Sequence, residues 1–227
     1  YDTVLNGFAA SLSAEQACAF QKRPNILNLE LDLTAKNQIT QNLDSNGSIW
    51  NLDRIDSAGS PDDSQYSYTS EGTGATIYIV DTGINSKHVD FAGRLKPGYN
   101  GVRGSKTTED CNGHGTHVAG IIAAKNDGVG ITGVAPGATI LPLRVLGADG
   151  SGWLSDIAAA IDYAVANGAK VINLSLGGTL DYSLIRISVE QAVASGVTVV
   201  AAAGNGGSGA AASYPAAYPG AIAVAAT

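Results

Sequence analysis

The sequence contains no methionine, only two cysteines and few basic residues, and each shortage argues against a particular kind of protein or partner. Without a methionine, the reading frame is expected to begin before Tyr1, where any signal peptide would also lie. Cys18 and Cys111 cannot supply the disulfide framework of a small cysteine-rich domain. Lysine and arginine number 13 against 20 aspartates and glutamates, and the resulting net charge of −7 argues against a nucleic-acid partner.

Long apolar runs are also missing. No run approaches the about 20 residues that a transmembrane helix needs, so no membrane partner is expected. The chain nevertheless has 227 residues and a hydrophobic content of 44%. That combination predicts a globular protein with one sizeable core and room for a small extra module.

The N-terminal region predicts that small module. Residues 4–12 are typical of a strand, and Ser13 followed by Gln16 is a capping-box pattern that begins a helix. Residues 27–33 alternate strictly between apolar and polar, which predicts a second strand with one buried face. Together these segments predict a small β-α-β unit, followed by a polar linker over residues 34–74 with one docked turn at residues 49–52.

From Thr76 onward the pattern becomes a regular alternation of strands and helices. The predicted strands contain continuous apolar runs, and the two predicted helices between them are amphipathic. Strands are predicted at 76–80, 139–146, 170–176, 197–202 and 221–226, and helices at 153–167 and 182–195. Apolar strands alternating with helices predict an α/β fold, a doubly wound and mostly parallel sheet with helices on both faces.

Three polar residues fall at the edge of this predicted sheet where ligands bind in such folds. Asp81 follows the first apolar strand, His114 begins an apolar helix after a glycine-rich loop, and Asn205 ends a later strand. A carboxylate that orients an imidazole lets its second nitrogen take a proton from a hydroxyl nucleophile. Asn205 could donate a hydrogen bond to a developing oxyanion. Taken singly, such residues are more often turn formers and helix caps.

Two other classes of site were weighed against this one. Residues 204–209 match the G-x-G-x-x-G pattern of dinucleotide-binding proteins, but no helix and no acidic residue follow at the required distance. His114 and His117 could share a metal ion, but no glutamate lies between them and no third ligand is evident. Both alternatives are disfavoured.

Three segments resemble signatures of the subtilisin-like serine proteases, and more closely the branch that includes proteinase K. They are 80–84 (VDTGI), 112–120 (NGHGTHVAG) and 202–205 (AAGN). The resemblance implies an endopeptidase acting on proteins or peptides, with Asp81 and His114 in its triad and Asn205 in its oxyanion hole. It also implies two backbone rails that hold the substrate as an added strand. The implied substrate-binding residues are Gly150, Ser151, Gly152, Ser175, Leu176, Gly177, Gly178, Ala203 and Gly204.

The N-terminal region resembles the C-terminal half of the inhibitory propeptide of these proteases, whose tail occupies the substrate cleft. The resemblance therefore implies residues 1–40 as a propeptide remnant and linker, with a processing junction between 35 and 42. Residues 41–227 would form the catalytic domain. It further implies a secreted, monomeric protein whose own propeptide is an intramolecular inhibitor.

The nucleophilic serine of this family lies in a Gly-Thr-Ser-Met-Ala segment, and no such segment occurs among the 227 residues. Ser208 and Ser213 lack its context, because no helix pattern follows either one. The resemblance therefore implies a protease domain that is incomplete at its C-terminus and inactive by itself. A pseudoprotease that binds peptides without cutting them is the alternative.

A calcium site is also implied by the resemblance. Residues 125–131 (KNDGVGI) resemble the metal loop of subtilisin, in which alternate residues supply oxygen ligands, and Asp90 matches a carboxylate from elsewhere. Oxygen ligands suit a hard cation such as calcium. The implied ligands are Asp90, Lys125, Asp127, Val129 and Ile131. The alternative is a solvated Asn-Asp-Gly turn.

Overall fold

The computed structural model describes residues 7–32, 34–37, 50–56 and 66–226. Along the chain the described elements are α1 (Ala14–Gln21), β1 (Thr34–Asn37), α2 (Trp50–Asp56), β2 (Thr76–Asp81), a 3-10 turn (Val89–Phe91), β3 (Tyr99–Asn100), α3 (His114–Ala123), β4 (Thr139–Arg144), β5 (Ser151–Trp153), α4 (Leu154–Ala166), β6 (Val171–Leu174), β7 (Leu176–Gly177), α5 (Ser183–Ala194), β8 (Thr198–Ala202) and β9 (Ile222–Val224).

The main sheet has six strands in the order β3-β4-β2-β6-β8-β9, and each neighbouring pair is parallel. The helices α3, α4 and α5 make the crossovers from β2 to β4, from β4 to β6 and from β6 to β8. This arrangement confirms the predicted α/β class. Because all the strands run the same way, their carboxyl ends share one edge of the sheet, where Asp81 ends β2.

Apolar side chains cover both faces of the central strand β2, which explains why its middle residues are all apolar. Tyr78 and Val80 of β2 belong to a core shared with α4 and α5, whereas Ile79 between them packs with Ala119 and Ala123 of α3. Alternate side chains of a strand point to opposite faces. The core therefore lies in two layers, with the sheet between them.

A second, three-stranded sheet lies beside the first. β1 occupies its centre and pairs antiparallel with β5 on one side and β7 on the other. β5 directly precedes α4, and β7 directly follows β6 across Ser175. The central strand therefore comes from the N-terminal region of the chain, and the two outer strands come from the α/β domain.

The N-terminal region is only partly as predicted. The capping box forms around Ser13, whose hydroxyl accepts from the Gln16 N–H while the Gln16 side chain accepts from the Ser13 N–H. The predicted second strand is wrong, since residues 27–32 carry no strand, and Leu27 and Leu31 are exposed. An extended segment becomes a strand only when another strand satisfies its backbone groups, and no such partner lies beside residues 27–32 in the described chain.

The other predictions for the N-terminal region also agree with the structure only in part. Residues 7–12 are described without a strand, and residues 4–6 lie outside the described residues. Within the predicted linker, α2 forms around the expected docked turn, and Leu52 is only 2% exposed. Both cysteines are exposed and unpaired. None of the described helices is long and apolar enough to cross a membrane.

Candidate active site

Asp81 and His114 meet at the carboxyl edge of the main sheet. Asp81 is the last residue of β2 and His114 is the first residue of α3, and their side chains are 0% and 6% exposed. The Nδ1 atom of His114 lies 2.7 Å from Oδ1 of Asp81. Since an ionised carboxylate only accepts, this bond places the proton on Nδ1 and leaves Nε2 as the basic nitrogen of the neutral ring.

The Asp81 carboxylate is fully buried. Burial raises the pKa of Asp81 above its ordinary value, and the hydrogen bonds from His114 and from the Thr82 N–H offset only part of this increase. None of the described residues donates to the second oxygen, Oδ2. The imidazole is therefore the main polar partner of this carboxylate, and a positive charge on the ring would be stabilised here.

Asp110 organises the turn that delivers His114, and the sequence analysis did not identify it. Its Oδ1 atom accepts from the Thr82 hydroxyl and from the N–H groups of Asn112 and Gly113, and its Oδ2 atom accepts from the N–H and the hydroxyl of Thr116. Burial opposes ionisation of Asp110, but these hydrogen bonds outweigh it and lower the pKa of the carboxyl. One carboxylate thus ties the end of β2 to the first turn of α3.

Two glycines make this junction possible. Gly113 precedes the helix with a φ of 105°, in the left-handed region that favours glycine. Gly115 packs directly against the turn after β2, and a Cβ there would collide with the carbonyl oxygen of Gly83. The N–H of Gly115 donates to the Thr82 hydroxyl at 2.9 Å. Close approach of the helix to this turn brings the imidazole within reach of Asp81.

The segments expected to be substrate rails form the two outer strands of the small sheet. In β5, Ser151 pairs with Lys36 and Gly152 pairs with Ala35, and on the other side Gly177 of β7 also pairs with Lys36. A Cβ at residue 152 would collide with the carbonyl oxygen of Val145, so the rail needs glycine there. The groove between the rails thus accepts an extended polypeptide, and β1 occupies it.

The remaining expected site residues lie at the same edge of the sheet. Ser175 joins β6 to β7, and Gly150 precedes β5 with a φ of 75°. Gly178 exchanges backbone hydrogen bonds with Tyr214. Ala203 and Gly204 follow β8, and Asn205 after them is exposed. The strand order places the end of β8 two positions from the end of β2.

The N-terminal segment also binds the beginnings of two helices with carboxylates. Asp32 accepts from the N–H of Ser155 at 2.8 Å and from its hydroxyl, at the start of α4. Glu30 accepts from the hydroxyl and N–H of Ser183 and from the N–H of Leu184 at 2.6 Å, at the start of α5. Contacts with the α/β domain therefore extend beyond the strand β1.

The predicted metal loop, residues 125–131, is largely exposed. Its possible oxygen ligands are the Asp127 carboxylate and the backbone carbonyls. Oδ2 of Asp127 lies 2.8 Å from Nζ of Lys125, and Oδ1 accepts from the N–H of Val129. The Asp90 carboxylate, of which 13% is exposed, lies 3.7 Å from Nδ1 of His88. The described residues contain no cluster of three acidic, histidine or cysteine side chains. A metal here would therefore depend on backbone carbonyls, and such a donor set fits calcium.

The structure disfavours the two alternative classes of site. No helix follows residues 204–209 before residue 226, so a pyrophosphate would find no helix N-terminus there. Around His114 and His117 the described residues offer no third metal ligand. Burial lowers the pKa of His117, and the charge on nearby His114 lowers it further.

A buried aspartate-histidine pair at the carboxyl edge of a parallel sheet, beside a groove that binds an extended strand, defines a site of the kind that activates a hydroxyl nucleophile against a polypeptide. The comparison with protein families agrees with this class. The chain belongs to the subtilase family, whose model matches residues 72–227.

Three named relatives are similar over much of the chain. The extracellular serine proteinase of Thermus sp. (strain Rt41A) is 39% identical over 229 residues, which cover 100% of this chain and 53% of the relative. Thermitase of Thermoactinomyces vulgaris is 52% identical over 159 residues, or 70% of this chain and 57% of the relative. Alkaline serine exoprotease A of Vibrio alginolyticus is 41% identical, over 90% of this chain and 38% of the relative.

A solved structure confirms the fold. The chain superposes on a cold-adapted subtilisin-like serine proteinase with a TM-score of 0.70 and 39% sequence identity, over 78% of this chain and 63% of the other. The fold is therefore subtilisin-like, and the chain spans between 38% and 57% of the length of the three relatives named above.

Proposed function

We propose that this chain is part of a secreted serine endopeptidase that hydrolyses peptide bonds of proteins. The observation that carries the proposal is the 2.7 Å bond between His114 and Asp81 beside a groove that already binds an extended strand. In the proposed reaction Asp81 holds the imidazole, and Nε2 of His114 takes the proton of a serine hydroxyl. Asn205 donates to the oxyanion that forms when the serine attacks the substrate carbonyl.

The nucleophile is proposed to lie beyond residue 227, in a Gly-Thr-Ser segment at the start of a buried helix. Apolar residues of β9 support this, because Ile222 and Val224 are each 52% exposed and a covering helix would bury them. Secretion is proposed from the relatives, one of which is named extracellular. A monomer is proposed as the working unit.

A serine-directed phosphonate tests the catalytic proposal. We expect the 227-residue chain to remain unlabelled and to hydrolyse no peptide. The full-length protein should be labelled by the phosphonate and should hydrolyse peptides. His114→Ala in the full-length protein should remove hydrolysis, since loss of the triad lowers turnover by roughly a million-fold in subtilisin. Full-length protein that binds peptides but reacts with no phosphonate would instead be a pseudoprotease.

We also propose that the N-terminal segment is an intramolecular inhibitor of this enzyme. Its strand β1 fills the groove between β5 and β7, and residues 34–37 fall within or beside the expected processing region. The alignment with the Thermus relative covers the whole chain, so a related segment precedes the protease domain there as well. Occupation of the groove by this segment would exclude other polypeptides.

Backbone substitution tests whether this segment binds as a strand. Lys36 pairs with both rails, so Lys36→Pro should weaken the sheet because proline removes an N–H donor. A glutamate-specific protease should then digest the N-terminal segment faster than in the unsubstituted chain. Lys36→Ala, which retains the N–H, is the matched control. Equal digestion of the two variants would refute strand binding.

Calcium is proposed to stabilise the loop at residues 125–131, with ligands from Asp127, Asp90 and the carbonyls of Lys125, Val129 and Ile131. At a hundredfold excess over the dissociation constant, the ion would add about 2.7 kcal/mol to the free energy of unfolding. Thermal unfolding with calcium or with a chelator measures this. Asp127→Ala should abolish the difference, whereas Asp181→Ala, a change of another exposed acid, should preserve it. An unchanged midpoint after chelation would exclude the site.

A further inference from the structure

The loop that follows β8 is an exposed, glycine-rich segment that the α/β domain holds at its base. Residues 205–212 are all exposed. Ser213 closes the loop, because its N–H donates to the carbonyl of Ala203 at 2.8 Å and its hydroxyl donates to that of Ala202 at 3.1 Å. Asn205, the proposed oxyanion donor, therefore lies at the start of a segment that solvent reaches throughout.

Asn205 is followed by Gly206, and an Asn-Gly pair can modify itself. The backbone nitrogen of the glycine attacks the side-chain carbonyl carbon of the asparagine and gives up its proton to solvent. A new C–N bond forms, ammonia leaves, and a cyclic succinimide results. Water then opens the ring at one of its two carbonyls and yields aspartate or isoaspartate. Glycine favours the attack because it has no Cβ to obstruct the approach and because its backbone adopts the widest range of conformations.

Four Asn-Gly pairs lie wholly within the described residues, and in three of them the glycine nitrogen is held by a hydrogen bond of 2.8–3.0 Å. These bonds run from Gly101 to the carbonyl of Arg144, from Gly113 to Oδ1 of Asp110, and from Gly168 to the carbonyl of Val165. A nitrogen that must keep its proton on an acceptor is a poor nucleophile and cannot turn towards the preceding side chain.

The asparagine side chains of these three pairs are also held. The amide groups of Asn100, Asn112 and Asn167 each donate to a backbone carbonyl. In contrast, none of the described residues accepts a hydrogen bond from the N–H of Gly206, and Gly206 is exposed. Among the described pairs, the nitrogen at Gly206 is therefore the one that is ready to attack.

Conversion of Asn205 would reverse the hydrogen-bonding role of its side chain. An amide donates to an oxyanion, whereas an ionised carboxylate only accepts and carries a negative charge. Loss of this one donor lowers turnover by roughly 100- to 1,000-fold in subtilisin. A converted molecule would therefore keep its fold and its aspartate-histidine pair, but it would lose most of its activity.

We propose that Asn205-Gly206 is a self-modification site that limits the working lifetime of the enzyme. Attack by the Gly206 nitrogen converts Asn205 to aspartate or isoaspartate, with water as the co-reactant and ammonia as the leaving group. The inference rests on the proposed endopeptidase function, because that function gives Asn205 an oxyanion to bind. The other three pairs are close to the same chemistry in sequence but are protected by the fold.

Peptide mapping of aged protein tests the modification without any catalysis. Full-length protein carrying His114→Ala, which should not digest itself, is incubated in mildly alkaline buffer. Mass spectrometry then follows the aspartate and isoaspartate content at each of the four pairs. We expect residue 205 to convert well before the internal controls Asn100, Asn112 and Asn167. Conversion of Asn205 no faster than that of these three would overturn the proposal.

A double substitution tests the role of the Gly206 nitrogen. Gly206 does not have a positive φ, so alanine is compatible with its backbone. A Cβ there would lie 2.7 Å from the Cβ of Ala210, and a simultaneous Ala210→Gly change removes that atom. Gly206→Ala with Ala210→Gly should slow conversion of Asn205 to the rate of the three protected pairs. Ala210→Gly alone is the matched control and should keep the fast rate. Equal rates in the two variants would refute attack by this nitrogen.

Kinetics separate this inference from the proposed function. Active full-length protein is aged in parallel, and kcat per undigested chain should fall in proportion to the converted fraction of Asn205. Asn205→Asp mimics one product and should lower kcat by about 100- to 1,000-fold, whereas Asn167→Asp, the same change at the end of α4, should leave it unchanged. If Asn205→Asp is impaired but Asn205 does not convert, the self-modification fails and the endopeptidase stands. If Asn205 converts and kcat is retained, the limit on lifetime and the oxyanion role of Asn205 both fail.

Discussion

The close contact between α3 and the turn after β2 can be tested with a single methyl group at Gly115. A Cβ at residue 115 would lie 2.2 Å from the carbonyl oxygen of Gly83 and 3.2 Å from Oδ1 of Asp81. Non-bonded heavy atoms rest at about 3.5 Å or more. In a Gly115→Ala variant, α3 must therefore move roughly 1 Å away from the turn, and the bond from His114 to Asp81 must lengthen or break.

Two opposing terms set the expected magnitude. Overpacking of this kind costs about 1–3 kcal/mol, and the upper end applies because the obstacle is backbone. Alanine favours a helix over glycine by about 1 kcal/mol, but residue 115 is in the first turn, where the gain is smaller. We expect a net loss of about 2 kcal/mol in the free energy of unfolding. In the full-length enzyme, a misplacement of about 1 Å should also lower turnover by roughly a hundredfold.

Gly120 provides the matched control on the same helix. A Cβ there would meet only Cδ1 of Ile131, at 3.8 Å, which is an ordinary contact. Gly120→Ala should therefore keep or slightly raise stability, by up to about 1 kcal/mol. Denaturant titration of both variants measures the difference. Equal midpoints for the two variants would refute the claim that close approach at Gly115 positions the imidazole.

Two further substitutions and one pH series probe the supports of the site. Asp110→Asn should cost about 2 kcal/mol of unfolding free energy, because an amide cannot accept all the bonds that Thr116, Gly113 and their neighbours donate. The pKa of Asp110 is lowered in the folded state, so its contribution is complete above about pH 4 and is lost as the pH falls further, a slope that the Asn variant should lack. Tyr218→Phe should cost about 1–3 kcal/mol, because the Tyr218 hydroxyl bonds both the N–H and the C=O of Tyr182, the residue before α5. Urea titrations at pH 7 and at pH 3 to 4 check all three, and unchanged midpoints would count against these roles.

Much of the α/β domain could be predicted from the sequence because its signals are local. The run from Ile77 to Val80 is apolar because both faces of β2 are covered, and the predicted helix at 182–195 became α5 at 183–194. The pattern of apolar residues along a segment reflects which of its faces are buried, and the strand β2 is buried on both faces. The capping box at Ser13 was equally predictable, since both of its hydrogen bonds lie within four residues.

The N-terminal strands could not be predicted in the same way. The alternation in residues 27–33 predicts a one-sided strand, but a strand also needs neighbours for its backbone, and alternation says nothing about them. The residues that do form a strand, Thr34–Asn37, have a polar composition typical of a linker. Their pairing depends on two rails more than a hundred residues away, which no local pattern can report.

Asp110 shows the same limit within the candidate site. Asp81 and His114 were identifiable because one ends an apolar strand and the other begins a helix after a glycine. Asp110 lies in an irregular loop beside Glu109, and nothing in that pair distinguishes a structural carboxylate from a solvated one. Its importance arises only after folding, when Thr82 and Thr116 converge on it.

Groups that favour a cation and groups that favour anions both lie at the carboxyl edge of the sheet. The Asp81 carboxylate favours a cation on His114, whereas the N-termini of α4 and α5 bind anions, namely Asp32 and Glu30 of the N-terminal segment. These demands do not conflict, because the carboxylates bind upstream of the strand that pairs with the rails. A protein with a net charge of −7 would repel an acidic substrate over most of its surface. The N-terminal segment overcomes this repulsion locally, because the first-turn N–H groups of Ser155, Ser183 and Leu184 donate hydrogen bonds to its carboxylates.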